Sequence, residues 1–129
     1  MTCLFDTHLL LWAGFEPERL PKQAAKLLEQ SLRAPLFSAA SIWEIAIKAL
    51  LGRADFTVDP AVFRKALLEN GYEELAITGA HAAMTRNLPE HHKDPFDRLL
   101  LAQAMVEGLT LVTADRKLAA YEGPIRHCG

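Results

Sequence analysis

The chain reads as one α/β domain, with a parallel sheet sandwiched between helices, and three features point there. Short apolar runs alternate with helix-patterned stretches from end to end, which suits strand–helix–strand units with right-handed crossovers. The first run is apolar at successive positions instead of every second one, so both faces of that strand need cover. Its 129 residues, half of them hydrophobic, suit a single core, so residues 1–129 are expected to form one domain.

The elements follow in order. Residues 2–5 form a strand that ends at Asp6, and residues 7–13 a helix before the Gly14 and Pro17 punctuation. Residues 21–32 predict a helix with Ala24, Leu27, Leu28 and Leu32 toward the core, and residues 35–39 a second strand. Ser41 is the expected cap of the next helix. The spacing Ser41-Ile42-Trp43-Glu44 matches a capping box and puts Glu44 in the first turn; Gly52 then stops the helix. Asp59-Pro60 opens a helix that Asn70-Gly71 closes, residues 74–77 suit a third strand, and Thr78 or Gly79 starts a helix holding His81 and Met84. In Asp94-Pro95-Phe96-Asp97, proline suits the first helical position, Asp94 is the natural N-cap and Asp97 falls at the third position. That helix runs to Glu107 and ends at Gly108. The apolar, β-branched run 109–113 is a strand followed by Asp115, and a short helix at 117–121 and a strand at 125–128 complete the chain.

Bulk properties exclude several classes. A formal charge of −2 provides no global attraction to nucleic acid, so such a role would rest on a local patch. Cys3 and Cys128 make neither a disulfide framework nor a zinc motif, and are expected to be reduced residues of a cytosolic protein. The N-terminus lacks a basic leader region, and no apolar run is long enough to span a bilayer.

Four acids carry the chemistry. Asp6 and Asp115 each follow an apolar strand, while Glu44 and Asp97 each fall near the start of a helix. In a parallel sheet these positions share the edge where ligands bind. Converging carboxylates raise one another's pKa values and are stable as anions only beside cations; hard oxygen donors select Mg²⁺ or Mn²⁺. Such ions polarise a phosphate and activate water, which implies phosphodiester hydrolysis. Taken singly, each acid also has a structural explanation as a helix cap.

The blocks Leu4-Phe5-Asp6-Thr7-His8-Leu9-Leu10-Leu11-Trp12, Ser41-Ile42-Trp43-Glu44-Ile45-Ala46-Ile47-Lys48, residues 91–104 and Leu109-Thr110-Leu111-Val112-Thr113-Ala114-Asp115 together closely resemble the PIN-domain family. Within it, the likeness is to the VapC-like ribonuclease toxins of type II toxin–antitoxin pairs, over essentially the whole chain. The resemblance implies a five-stranded parallel sheet between helices and Mg²⁺- or Mn²⁺-dependent cleavage of RNA. It makes Asp6, Glu44, Asp97 and Asp115 the catalytic, metal-binding acids. Asp6 and Asp97 would bind the principal ion directly, Glu44 would bind through water or orient the attacking water, and Asp115 would complete the second half. Asp94 is expected behind the ligands or as a cap, Thr7 and Thr113 as hydroxyls in the same network, and Arg98 as a phosphate contact or a surface ion pair. A small antitoxin is the expected partner, inserting a basic side chain among the carboxylates. A homodimer would use apolar helix surface near Trp12 or Trp43.

Other residues invite chemistry less. His91 and His92 are adjacent, so they point apart, and no third nitrogen or sulfur ligand is suitably spaced for zinc. Trp12 and Trp43 sit on apolar helix faces and suit packing better than base stacking. Lys48, Arg53 and the other basic residues are scattered along the chain and suit solvated surface, some of them at the cleft rim. A phosphate-handling receiver domain would want paired acids after the first strand and a lysine late in the chain; Thr7-His8 and Thr113-Ala114-Asp115 offer neither. A catalytically silent relative would have lost acids, and all four are present. A processing nuclease without an antitoxin is the remaining alternative.

Overall fold

A computed structural model describes all residues, Met1–Gly129. Five strands, β1 (Cys3–Phe5), β2 (Leu36–Ser38), β3 (Glu73–Leu75), β4 (Thr110–Thr113) and β5 (Ile125–His127), form one sheet in the order β3-β2-β1-β4-β5. Every pairing is parallel. Helices α1 (Thr7–Phe15), α2 (Lys22–Gln30), α3 (Ala39–Leu50), α4 (Pro60–Glu69), α5 (Gly79–Met84), α6 (Pro95–Glu107) and α7 (Arg116–Ala119) connect and cover the strands.

Pleating divides the core in two. Cys3 and Phe5 of β1 join Phe37, Val112, Leu9 and Phe63 on one face. Leu4, between them, turns to the other face with Leu111, Leu100, Leu101 and Leu118. The central strands are therefore buried on both sides, as the successive apolar positions of β1 require. No helix is long and apolar enough to cross a membrane.

Several expected boundaries move, three of them for a clear physical reason. Helix α3 starts at Ala39, because Ser38 at the end of β2 is the N-cap and accepts the Ala40 N–H at 2.9 Å. Ser41 is instead a buried residue inside the helix. The third strand is residues 73–75 and not 74–77: its partner β2 ends at Ser38, opposite Leu75, once α3 begins. Helix α2 ends at Gln30, which leaves Leu32 fully exposed and not in the core. At the end of α6, Gly108 has φ of 68°, the left-handed geometry expected of a terminating glycine.

Candidate active site

The carboxyl ends of β1 and β4 place two acids side by side. Asp6 follows β1 and is 5% exposed. One of its oxygens caps α1 by accepting the Leu9 N–H at 2.9 Å, and the other accepts the Thr113 hydroxyl. Thr113 also accepts the Asp115 N–H at 3.0 Å, so a single β4 side chain fixes both acids. Asp115 caps α7 through the Lys117 N–H at 2.8 Å. Capping and site-building are thus not alternatives at Asp6 and Asp115. Each uses one oxygen for the cap and has a second for something else.

Glu44 enters from α3. With the helix starting at Ala39, it lies in the second turn, so the expected capping box with Ser41 does not form and end-capping cannot explain this acid. It is 2% exposed. The Thr7 hydroxyl donates to its Oε1 at 2.5 Å and stands 2.9 Å from the Ser41 hydroxyl; the Lys48 ammonium pairs with its Oε2. The ammonium also lies 3.2 Å from Asp94 Oδ2. Asp94 caps α6 with its other oxygen, accepting the N–H groups of Phe96 at 2.9 Å and Asp97 at 3.3 Å. Asp97, at the third helical position, does not bond back to the Asp94 N–H as a capping box would require. Its carboxylate meets His92 Nε2 at 2.7 Å, and the same nitrogen is 3.3 Å from Asp115 Oδ2.

The acids line one cavity of about 720 Å³. Burial pushes the Asp97 carboxyl up to about 8, helped by the charges of Asp94, Glu44, Asp6 and Asp115. Burial also raises the Asp6 carboxyl, against the opposing pull of the Thr113 and Leu9 hydrogen bonds. Burial alone would lower the Lys48 ammonium, but the Glu44 hydrogen bond and the Glu44 and Asp94 charges outweigh it and the net shift is upward. Crowded carboxylates that resist ionisation are a site poised for a cation, and hard oxygen donors suit Mg²⁺ or Mn²⁺. Asp97, Asp115 and His92 each offer a ligand atom within 4.8 Å of the others, and Asp6 borders the same cavity.

Two residues of this site escape a reading of the sequence. His92 looks unsuited as a ligand if its companions must be nitrogen or sulfur, yet its neighbours here are carboxylates. His91 does point away, edge-on to Tyr121 at 5.0 Å between ring centroids. Lys48 is 13% exposed, not solvated surface; its spacing of four from Glu44 on one helix is the signal that locates it.

One expectation changes. Arg98 does not border the cavity. Its guanidinium donates to the carbonyls of Thr85, Leu88 and Pro89 and to the Tyr121 hydroxyl at 2.8–3.1 Å. A staple of the 85–92 loop replaces the expected phosphate contact or surface ion pair. Trp12 borders the cavity under the Arg19 guanidinium, 4.8 Å from the ring centroid, while Trp43 is 55% exposed and packs on Phe96.

Comparison with known proteins agrees with this architecture. Ribonuclease VapC22 of Mycobacterium tuberculosis is 32% identical over 124 residues, covering 95% of this chain and 94% of that protein. Among solved structures, VapBC2 from Rickettsia felis, bound to a DNA fragment from its promoter, superposes with a TM-score of 0.73 over the full length of both chains at 14% identity. A toxin–antitoxin complex from Klebsiella pneumoniae superposes with a TM-score of 0.68, at 21% identity over 99% of this chain and 98% of that one. These two show likeness of fold. The PIN domain family matches residues 3–124. The chain belongs to the PIN-domain family.

Proposed function

We propose that this protein is an Mg²⁺- or Mn²⁺-dependent endoribonuclease and the toxin of a toxin–antitoxin pair, acting in the cytoplasm. One observation carries the reading: Asp6, Glu44, Asp97 and Asp115 line a single cavity in which the Asp97 carboxyl is pushed up to about 8. The likeness to a ribonuclease supplies the substrate class.

In this reading Asp97 and Asp115, with Asp6 on the same cavity, would hold the ion. When bound, the ion supplies Lewis acidity that polarises the phosphate and makes water a better nucleophile. The chain's own residues do the positioning. Thr113 fixes Asp6 and Asp115 relative to one another, His92 bridges Asp97 and Asp115, and Thr7 anchors Glu44. Glu44, held at the cavity wall by Thr7 and Lys48, would use the remaining acceptor capacity of its oxygens to orient water. Trp12, Arg19 and Arg53 at the outer part of the cavity offer aromatic and cationic surface to the bases and phosphates of the strand. The antitoxin would cover the same cavity. A second copy of the chain would meet exposed apolar α3 surface at Trp43 and Leu50.

The test incubates the purified chain with total RNA and tRNA, with and without Mg²⁺ or Mn²⁺, beside Asp97→Asn. Cleavage should require the ion and fall about a hundredfold or more in the variant, the scale of losing one transition-state charge contact. Equal cleavage by both proteins would overturn the assignment. Capture of a small partner that suppresses cleavage would separate the toxin from a processing nuclease.

A further inference from the structure

We propose that Lys48 is a built-in cation of the active site, occupying the place between Glu44 and Asp94 and offsetting part of their charge where a second divalent ion would otherwise be drawn, so that the chain takes a single ion on the side of Asp6, Asp97 and Asp115. The inference rests on the divalent-ion reading above.

The two halves of the acid cluster are built differently. On the Lys48 side, every carboxylate oxygen is engaged and a full positive charge stands between the two acids. Glu44 gives Oε1 to the Thr7 hydroxyl and Oε2 to the ammonium; Asp94 gives Oδ1 to the helix N–H groups and Oδ2 to the same ammonium at 3.2 Å. On the other side, neither lysine nor arginine pairs with Asp6, Asp97 or Asp115, and their protein neighbours are hydroxyls, backbone N–H groups and His92. One positive charge therefore offsets one of the two negative charges around Lys48, while compensation at Asp6, Asp97 and Asp115 is left to an external cation.

The ammonium is also held in place. Lys48 projects from α3 one turn after Glu44, is 13% exposed, and has the Phe56 and Phe96 rings at 5.0 and 5.7 Å from Nζ. Ring faces favour a cation and keep it from swinging into solvent. A divalent ion binding Glu44 and Asp94 would have to displace this ammonium or endure like-charge repulsion at contact distance.

Titration calorimetry with Mn²⁺, together with electron paramagnetic resonance of the unbound ion, counts the ions on the purified full chain. One Mn²⁺ per chain is expected for the wild type and for Lys48→Arg, and two for Lys48→Met. If Lys48→Met does not fold by circular dichroism, Lys48→Gln, which keeps an N–H donor for Glu44, should give the count of two. Two ions on the wild type, or one on the folded uncharged variant, would overturn the role of Lys48 and leave the nuclease reading standing. No ion on the wild type would overturn both.

Discussion

Asp97→Asn should make the metal-free protein more stable at pH 8, and nearly indifferent to added Mg²⁺ or Mn²⁺. In the folded state the Asp97 carboxyl is raised to about 8 by burial and then by its acidic neighbours, whereas an unfolded chain releases that proton near pH 4. Between these values the folded form retains a proton that the unfolded form has lost, so stability falls as pH rises through the window and levels off above it. Asp6, raised by burial, adds to the fall in the same direction. Each pH unit of separation corresponds to about 1.4 kcal/mol, so the loss is on the order of a few kcal/mol. Asparagine carries no charge to bury and abolishes its share of the slope. Thermal denaturation in EDTA from pH 4 to pH 8 measures this; a wild-type curve that rises with pH would refute it. Adding Mn²⁺ at pH 8 should restore the wild type by mass action and leave the variant unchanged.

Arg98→Ala should destabilise the fold by about 3 kcal/mol or more, through structure and not through substrate. Charged hydrogen bonds contribute roughly 1.5–3 kcal/mol each, and truncation would leave several carbonyls without their donor. Those carbonyls belong to Thr85, Leu88 and Pro89, in the segment that leads to His92. Arg98→Lys should recover only part of the loss, because an ammonium cannot spread its donors in the guanidinium's planar fork. Urea denaturation of both variants checks the prediction. A phosphate-binding role would instead leave stability intact and weaken RNA binding in proportion to charge.

Much of this fold is readable from local pattern, because its signals are strong and mutually consistent. Asp59-Pro60 and Asp94-Pro95 open helices, Gly108 closes one, and the β1 and β4 runs are apolar on successive positions. The start of α3 is misjudged because Ser38 and Ser41 are both good caps. The choice between them is tertiary: Ser38 also donates to Gln103 on α6 at 2.5 Å, and Ser41 meets Thr7 on α1. Asp6, Asp97 and Asp115 follow from strand ends and a helix start, whereas Glu44 is one turn further into α3 than its sequence suggests. His92, Lys48 and Arg98 follow from neither, since their roles depend on which segment folds beside them. Arg98 adjoins Asp97 in sequence yet turns to the 85–92 loop, while Lys48 enters the site from a helix separated from Asp94 by 46 positions.

The most direct test of the central claim is to bind RNA to the protein in EDTA, add excess Mn²⁺, and identify the new ends. Cleavage should start only on addition of the ion, the products should carry 5′-phosphate and 3′-hydroxyl groups as in-line attack by water requires, and Asp6→Asn should yield none. Cleavage in EDTA would show that no divalent ion is needed, and products ending in a 2′,3′-cyclic phosphate would show that the RNA's own 2′-hydroxyl is the nucleophile; either result would contradict this mechanism.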